Sequence, residues 1–250
     1  MTNWIERISE PQRLILAWQA PDHMGLRFRW AVAVLERREG THVLRYLRPG
    51  AEFSHYNHGR TFQEITELGY QGYPAFSLTR DLHTEAVVET LVRRLPPRNR
   101  ADFQEYKRQF RLAANTDPSD FALLGYTEAK LPSDGFSIVN PLDPESDACD
   151  LLLEVAGFRY YAPPLLPNIA VGQAIELLPE PENEHDPNAV KICIGSQKIG
   201  NINRLQAPTL LRWLAEREVT ACIERLNGKP NHPRGFIFVR VGPAATRIAA

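Results

Sequence analysis

The chain has 250 residues, 43% of them hydrophobic and 24% charged, the proportions of an ordinary globular protein with material for one large or two small cores. A formal net charge of −1 argues against a protein that coats duplex nucleic acid, where many phosphates must be neutralised. No apolar run approaches the ~20 residues of a membrane span, and the first residues lack a basic-then-apolar signal pattern, so a cytoplasmic protein with no membrane contact is expected.

In chain order, Leu14–Trp18 predicts a first strand, with Pro21-Asp22 as its breaker. Residues 28–48 alternate in the manner of a hairpin around Arg38-Glu39-Gly40, with glycine where a positive φ is easiest. His55 and His58, three apart with no cysteine near them, read as part of a solvated loop rather than as metal ligands. Residues 61–69 predict a short helix, opened by a Thr61/Glu64 capping box and stopped at Gly69. From 81 to 111 the pattern is helical. Asp81 stands as a cap, Ala86, Val87, Leu91 and Leu95 form one apolar face, and Pro96-Pro97 end it. A second helix, Arg100 to Leu112, carries Phe103, Tyr106, Phe110 and Leu112 at helical spacing. Residues 93–111 hold seven Lys/Arg against two acids, and those arginines read as a solvated or partner-facing surface. A third short helix at Phe121–Leu124 and a strand at Gly135–Val139 follow, and Pro141–Asp147 is the best linker.

The remainder reads as β segments at 151–155, 171–178, 190–194, 198–202, 221–225 and 236–241, with one main helix from Ala207 to Arg217. Many short strands with one helix suit a small closed barrel. Charge is uneven as well. Residues 1–150 hold 18 Lys/Arg and 21 Asp/Glu, and residues 151–250 hold 11 and 9, of which five acids lie within 176–186. Outside that acidic turn the C-terminal part is basic, as suits a protein that grips a strand end.

Cys149, Cys193 and Cys222 form no CxxC pair, and Cys193 and Cys222 sit in strand-like runs as apolar residues would. There is no nucleophile elbow, P-loop or HExxH. Neither an enzyme nor a metal or other cofactor is expected, and Glu180, Glu182, Glu184 and Asp186 read as a solvated acidic turn rather than a nuclease centre.

Arg159-Tyr160-Tyr161 is what a single-strand binder needs: a forked phosphate donor beside aromatic faces on which a base can stack. In extended backbone Tyr160 and Tyr161 would point to opposite faces, so only one would stack. The turn Glu180–Val190 adds a complementary feature. A carboxylate such as Asp186 repels an internal phosphate and accepts a hydrogen bond from a terminal hydroxyl, although Asp and Asn also build turns by accepting backbone N–H groups.

Ala156–Tyr161, the strand at 171–178, the turn at 180–190, the hairpin at Gly195-Ser196 and Lys198–Ile202 together resemble a HIRAN domain, a module of DNA-repair translocases and stand-alone bacterial proteins. The resemblance implies an OB-like barrel and a pocket for the free 3′-hydroxyl end of single-stranded DNA. Arg159 and Tyr160 would hold the terminal nucleotide, Asp186 the hydroxyl, and Asn183 the base or sugar. His185 stands where the DNA-binding members carry an aromatic, Asn201 follows Gly200 where a ring residue is common, and Arg204 keeps a basic position suited to a phosphate.

Gly72–Phe76 and Arg94–Arg100 resemble the small N-terminal subdomain of HipA-type toxin kinases. The kinase core is absent, with no Gly-rich phosphate loop or catalytic-loop motif, so kinase activity is not implied. The expected architecture is an α+β domain at 1–145, HipA N-terminal-like, followed by a mainly-β, OB-like barrel with one main helix at 146–250. The expected function is recognition of a single-stranded DNA 3′ end in repair, fork processing or phage defence, beside a partner protein carrying a motor, nuclease or kinase activity. The alternative is a regulatory protein whose HipA-like half docks a partner.

Overall fold

The computed structural model describes residues 3–24, 28–131, 133–146 and 148–244. The chain forms two compact units, one from Glu10–Phe103 and Asp117–Pro141, the other from Met1–Ser9, Gln104–Thr116 and Leu142–Ala250.

The first unit is an antiparallel sheet of β1 (Arg13–Gln19), β2 (Arg29–Arg38), β3 (Thr41–Tyr46), β4 (Leu82–His83) and β5 (Phe136–Val139), in the order β4-β3-β2-β1-β5. Trp30–Leu35 of the central β2 are buried without a break, as in a strand covered on both faces. The expected hairpin closes at Glu39 and Gly40, whose φ values of 45° and 83° match the twist of the flanking strands.

The helices of this unit are α1 (Ala51–Tyr56), α2 (Phe62–Glu67), α3 (Val87–Val92) and α5 (Asp120–Thr127), while α4 (Phe103–Gln109) falls almost wholly in the second unit. The Thr61/Glu64 capping box is present on α2, a device worth about 1 kcal/mol. Two local expectations fail. The loop expected around His55 is helix α1, too short for periodicity to reveal. Behind it Asn57 is fully buried, its Oδ1 accepting from Ala31 N (2.9 Å) and its Nδ2 donating to the Ala31 and Phe53 carbonyls. Asp81 does not cap a helix. It accepts from Arg48 Nε (2.7 Å), and α3 starts at Val87 after Ala86, which precedes the helix in left-handed backbone.

The arginine-rich stretch is a solvated face only in part: Arg93, Arg98, Arg100 and Arg108 are exposed, but Arg94 and Lys107 are not. Arg94 is buried; its Nε donates to the Ala129 carbonyl (2.8 Å), and Nη1 lies 2.5 Å from Asp134 Oδ2. Arg98 donates to Asp120 (2.8 Å) and Asp117 (2.9 Å), and Arg100 pairs with Asp102 (2.6 Å). Lys107 is buried and donates to the Ala114 and Thr116 carbonyls. For Arg94 and Arg98 the balancing acids come from positions distant in sequence, which a local count of charge does not see.

The second unit is an antiparallel sheet of β6 (Cys149–Glu154), β7 (Ala174–Pro179), β8 (Val190–Ile194), β9 (Gln197–Asn201), β10 (Arg217–Lys229) and β11 (His232–Ala244), in the order β6-β11-β10-β7-β8-β9. The sheet curls until its outer strands meet. Beyond β6, Ala156 exchanges two backbone hydrogen bonds with Asn201 of β9 (2.8 and 2.9 Å). Curling in this way removes exposed edges. Inward-facing Leu151, Leu153, Ile175, Leu177, Ile192, Ile199, Ile223, Ile237 and Val239 fill the interior, alternating with outward residues. Helix α7 (Ala207–Glu216) adds Leu210 and Trp213 to that core, and the short α6 (Phe158–Tyr161) adds Phe158.

Segments 3–9 and 104–116, which the sequence reading groups with the first domain, pack in this unit against the outward side of β10. Ile5 bridges Leu112, Asn3 Nδ2 donates to Glu224 (2.7 Å), Arg111 Nε lies 2.5 Å from Glu224, and Arg225 donates to the Gln109 carbonyl (2.7 Å). The expected linker is held too. The Pro144 carbonyl accepts from Trp213 Nε1 (3.1 Å) and Arg217 Nη2 (2.9 Å), and Arg212 pairs with Glu145 (2.6 Å); Asp147, its last residue, lies outside the described residues. Among the described residues no helix is long and apolar enough to cross a membrane.

Candidate nucleic-acid interface

Arg159, Tyr160 and Tyr161 are helical rather than extended, contrary to the expectation that the tyrosines face opposite ways. Gly157 at φ 74° turns the chain out of the sheet and starts α6. The four-residue helix buries Phe158 and leaves both tyrosines exposed, Tyr160 at 63% and Tyr161 at 43%. Gly235 of β11 makes room for Phe158, since a Cβ there would stand 2.6 Å from the ring. Neither tyrosine fills the core. The Arg159 guanidinium lies over the Tyr160 ring (4.6 Å to the centroid) and donates to its hydroxyl, while Lys198 Nζ lies over the Tyr161 ring (4.7 Å).

Lys198 ties this aromatic patch to the acidic turn. Its ammonium lies 2.8 Å from both carboxylate oxygens of Glu180, and the same carboxylate accepts from Asn183 Nδ2 (2.7 Å) and Asn201 Nδ2 (3.1 Å). Burial works to raise the Glu180 pKa, but the Lys198 ammonium and the two amides outweigh it and hold the carboxyl below its ordinary range. Asn183 Oδ1 accepts from the backbone N–H of His185 (3.0 Å) and Asp186 (3.2 Å). Asp186 is buried at 8% exposure, and its Oδ1 accepts from Asn188 N (2.8 Å), the local turn bond available to Asp.

Six of the seven residues singled out in the sequence thus fall around one patch. Arg159 and Tyr160 stand on its α6 side, Asn183 and Asn201 converge on Glu180, and His185 and Asp186 follow in the same turn. Arg204 is half-buried on the connection from β9 to α7. Sequence reasoning missed Glu180 and Lys198. Their opposite charges bracket the β8 hairpin 18 residues apart, and that pairing was the available signal. Gly200 fixes the junction. Its φ is +154°, and a Cβ would lie 2.4 Å from Val155 Cγ1 and 2.5 Å from the Ala156 carbonyl oxygen.

A curled antiparallel half-barrel with exposed aromatics beside a hydrogen-bonded acidic turn defines a small β-barrel binding module. Residues 150–238 match the family model of the HIRAN domain, so this part of the chain is a HIRAN domain. Among solved structures, a Lactobacillus plantarum protein is similar at 24% identity with a TM-score of 0.31, over 38% of this chain and 96% of that one. The HIRAN domain of human HLTF is similar at 16% identity with a TM-score of 0.29, over 40% of this chain and 83% of that one. No curated protein matches the chain.

Proposed function

We propose that the HIRAN domain of this protein binds single-stranded DNA at a free 3′-hydroxyl end, as a binding module and not an enzyme, in the cytoplasm and in the setting of repair, fork processing or phage defence. The observation that carries the reading is the exposed Arg159–Tyr160 pair beside the acidic turn. An aromatic ring exposed at 63%, already backed by a guanidinium, offers its free face to a base; such stacking is worth about 1–3 kcal/mol per base. Arg159 takes the adjoining phosphate. His185, exposed on the turn, supplies a second ring surface, Arg204 a further phosphate contact, and Asn183 and Asn201 hold the turn in shape through Glu180.

The turn gives the end preference. Glu182, Glu184 and Asp186 place negative charge where a continuing strand would have to bring another phosphate, whereas a terminal hydroxyl brings none. Fluorescence anisotropy with a labelled oligonucleotide ending in a 3′-hydroxyl or a 3′-phosphate tests this. Tighter binding of the hydroxyl end, lost in Asp186→Ala, is expected. Equal binding of the two ends would reduce the module to a general strand binder, and no binding of either at low salt would sink the DNA reading.

A further inference from the structure

Between Arg225 and Arg240 the sequence contains four Lys/Arg and no Asp or Glu. The fold places that stretch on the β10–β11 hairpin, whose strands outrun their neighbours. β7 pairs with β10 at Ala221 and Cys222 and the backbone before it bonds Ile223, while β6 and Val155 after it reach along β11 as far as Gly235. From the Asn227/Arg234 pair to the Lys229/His232 pair the hairpin is therefore a two-stranded ribbon with no flanking strand among the described residues. Its tip is specified by the sequence, because Gly228 has φ +93° and a Cβ there would stand 2.3 Å from the His232 carbonyl oxygen.

The ribbon carries Lys229 and Arg234 and no Asp or Glu. Lys229, His232 and Arg234 are exposed, and the side chains of Lys229 and His232 have no partner among the described residues. At the root, Arg225 and Arg234 lie over the Phe236 ring (4.3 and 5.2 Å to the centroid). Glu154 pairs with Arg234 (2.6 Å). Burial first, and then the like charges of Arg111 and Arg234, lower the pKa of Arg225 against the opposing pull of Glu224 and Glu154. The root also adjoins the patch described above, since Gly235 abuts Phe158 of α6, the helix that carries Arg159 and Tyr160.

We propose that this ribbon holds the DNA duplex adjoining a single-stranded 3′ end, with Lys229 and His232 meeting groove phosphates while α6 and the acidic turn take the end itself. A two-stranded β-ribbon fits the B-DNA major groove, which is about 12 Å wide, and a carboxylate-free ribbon meets its phosphates without repulsion. The inference rests on the end-binding reading for the role of α6, and the test separates the two.

The intact chain is titrated by anisotropy with a 3′-overhang alone, the same overhang joined to a duplex, and the duplex without an overhang. Binding about tenfold tighter to the junction than to the overhang at about 0.1 M salt is expected, with a salt slope steeper by about one phosphate's worth. Lys229→Glu with His232→Glu should erase that gain and leave overhang binding unchanged. Both side chains are exposed, and the slope of the unaltered protein gives an independent reading should the variant fold poorly. Equal affinity for overhang and junction overturns the ribbon proposal and leaves its lysine and prolines as protection against strand-edge association. Duplex binding that needs the ribbon but gains nothing from an overhang supports the ribbon and overturns end binding. Binding to none of the three overturns both.

Discussion

Lys198 and Glu180 form the hinge on which the candidate site is assembled: one ammonium reaches both oxygens of one carboxylate at 2.8 Å, while the same Lys198 lies over the Tyr161 ring. The pair joins β9, the acidic turn and α6, and its side chains are 20% and 21% exposed, shielded from bulk water without being sealed from it. Its value is geometric, since a pair that can still reach solvent adds little net stability by itself.

Glu180→Ala should therefore weaken DNA-end binding about tenfold while lowering the melting temperature only slightly, because it frees Asn183 and Asn201 from their shared acceptor. Glu180→Gln keeps an acceptor and loses the charge. The folded-state pKa of Glu180 is depressed, so its contribution to stability is present above the unfolded-state carboxylate value of about 4.3 and is lost as pH falls through the lower folded value. Thermal melts of the unaltered protein and Glu180→Gln should differ near pH 6 and converge at the acid end. A difference independent of pH would remove the charge from the explanation.

Arg159 and Tyr160 make a second prediction, separable from folding because both reach solvent. Tyr160→Ala should cost about 1–3 kcal/mol of binding, and Arg159→Ala should flatten the salt dependence by about one phosphate contact. Chemical denaturation midpoints should barely move for either. A large loss of stability in Tyr160→Ala would mean that the ring serves packing despite its 63% exposure.

Hydrophobic alternation and turn chemistry made most of the second unit legible: β8 has the bounds read from sequence, β9 is displaced by one residue, and α7 ends one residue early. Local rules failed where the deciding partner lies far along the chain. Asn57 looked like a loop residue because its partner, Ala31, is 26 positions away, and Arg94 looked solvated because Asp134 is 40 positions away. The site shows the same division. Arg159, Tyr160 and Asp186 could be picked out by residue type, but the hub at Glu180 emerges only when β7, β8 and β9 are laid side by side. The helical start at Gly157 was hidden as well, because a four-residue helix has no period to read.

Gly200 leads to a third prediction. Its backbone lies in the region that favours glycine, and the added Cβ of Gly200→Ala would press on Val155 and on the Ala156 carbonyl that joins the sheet edges. Destabilisation of about 2–3 kcal/mol is expected from overpacking alone. Because Ala156 leads directly into Gly157 and α6, end binding should fall as well. Urea unfolding and anisotropy on the same preparation check this, and a variant as stable as the original would show that the junction has slack.

Arg94 provides the final prediction, this time in the first unit. Its guanidinium makes four hydrogen bonds to Ala129, Asp134 and Phe136, acceptors that would otherwise lie poorly satisfied. Arg94→Ala strands those acceptors and the Asp134 carboxylate, a loss of about 3–5 kcal/mol by the measure of broken buried pairs. Arg94→Lys should rescue little, because one ammonium cannot reproduce the fork that serves Asp134 with two nitrogens. Urea denaturation followed by near-ultraviolet circular dichroism, which reports tryptophan and tyrosine packing, measures both variants. A lysine variant as stable as the original would show that charge, and not the planar fork, holds β5 and the turn before it in place.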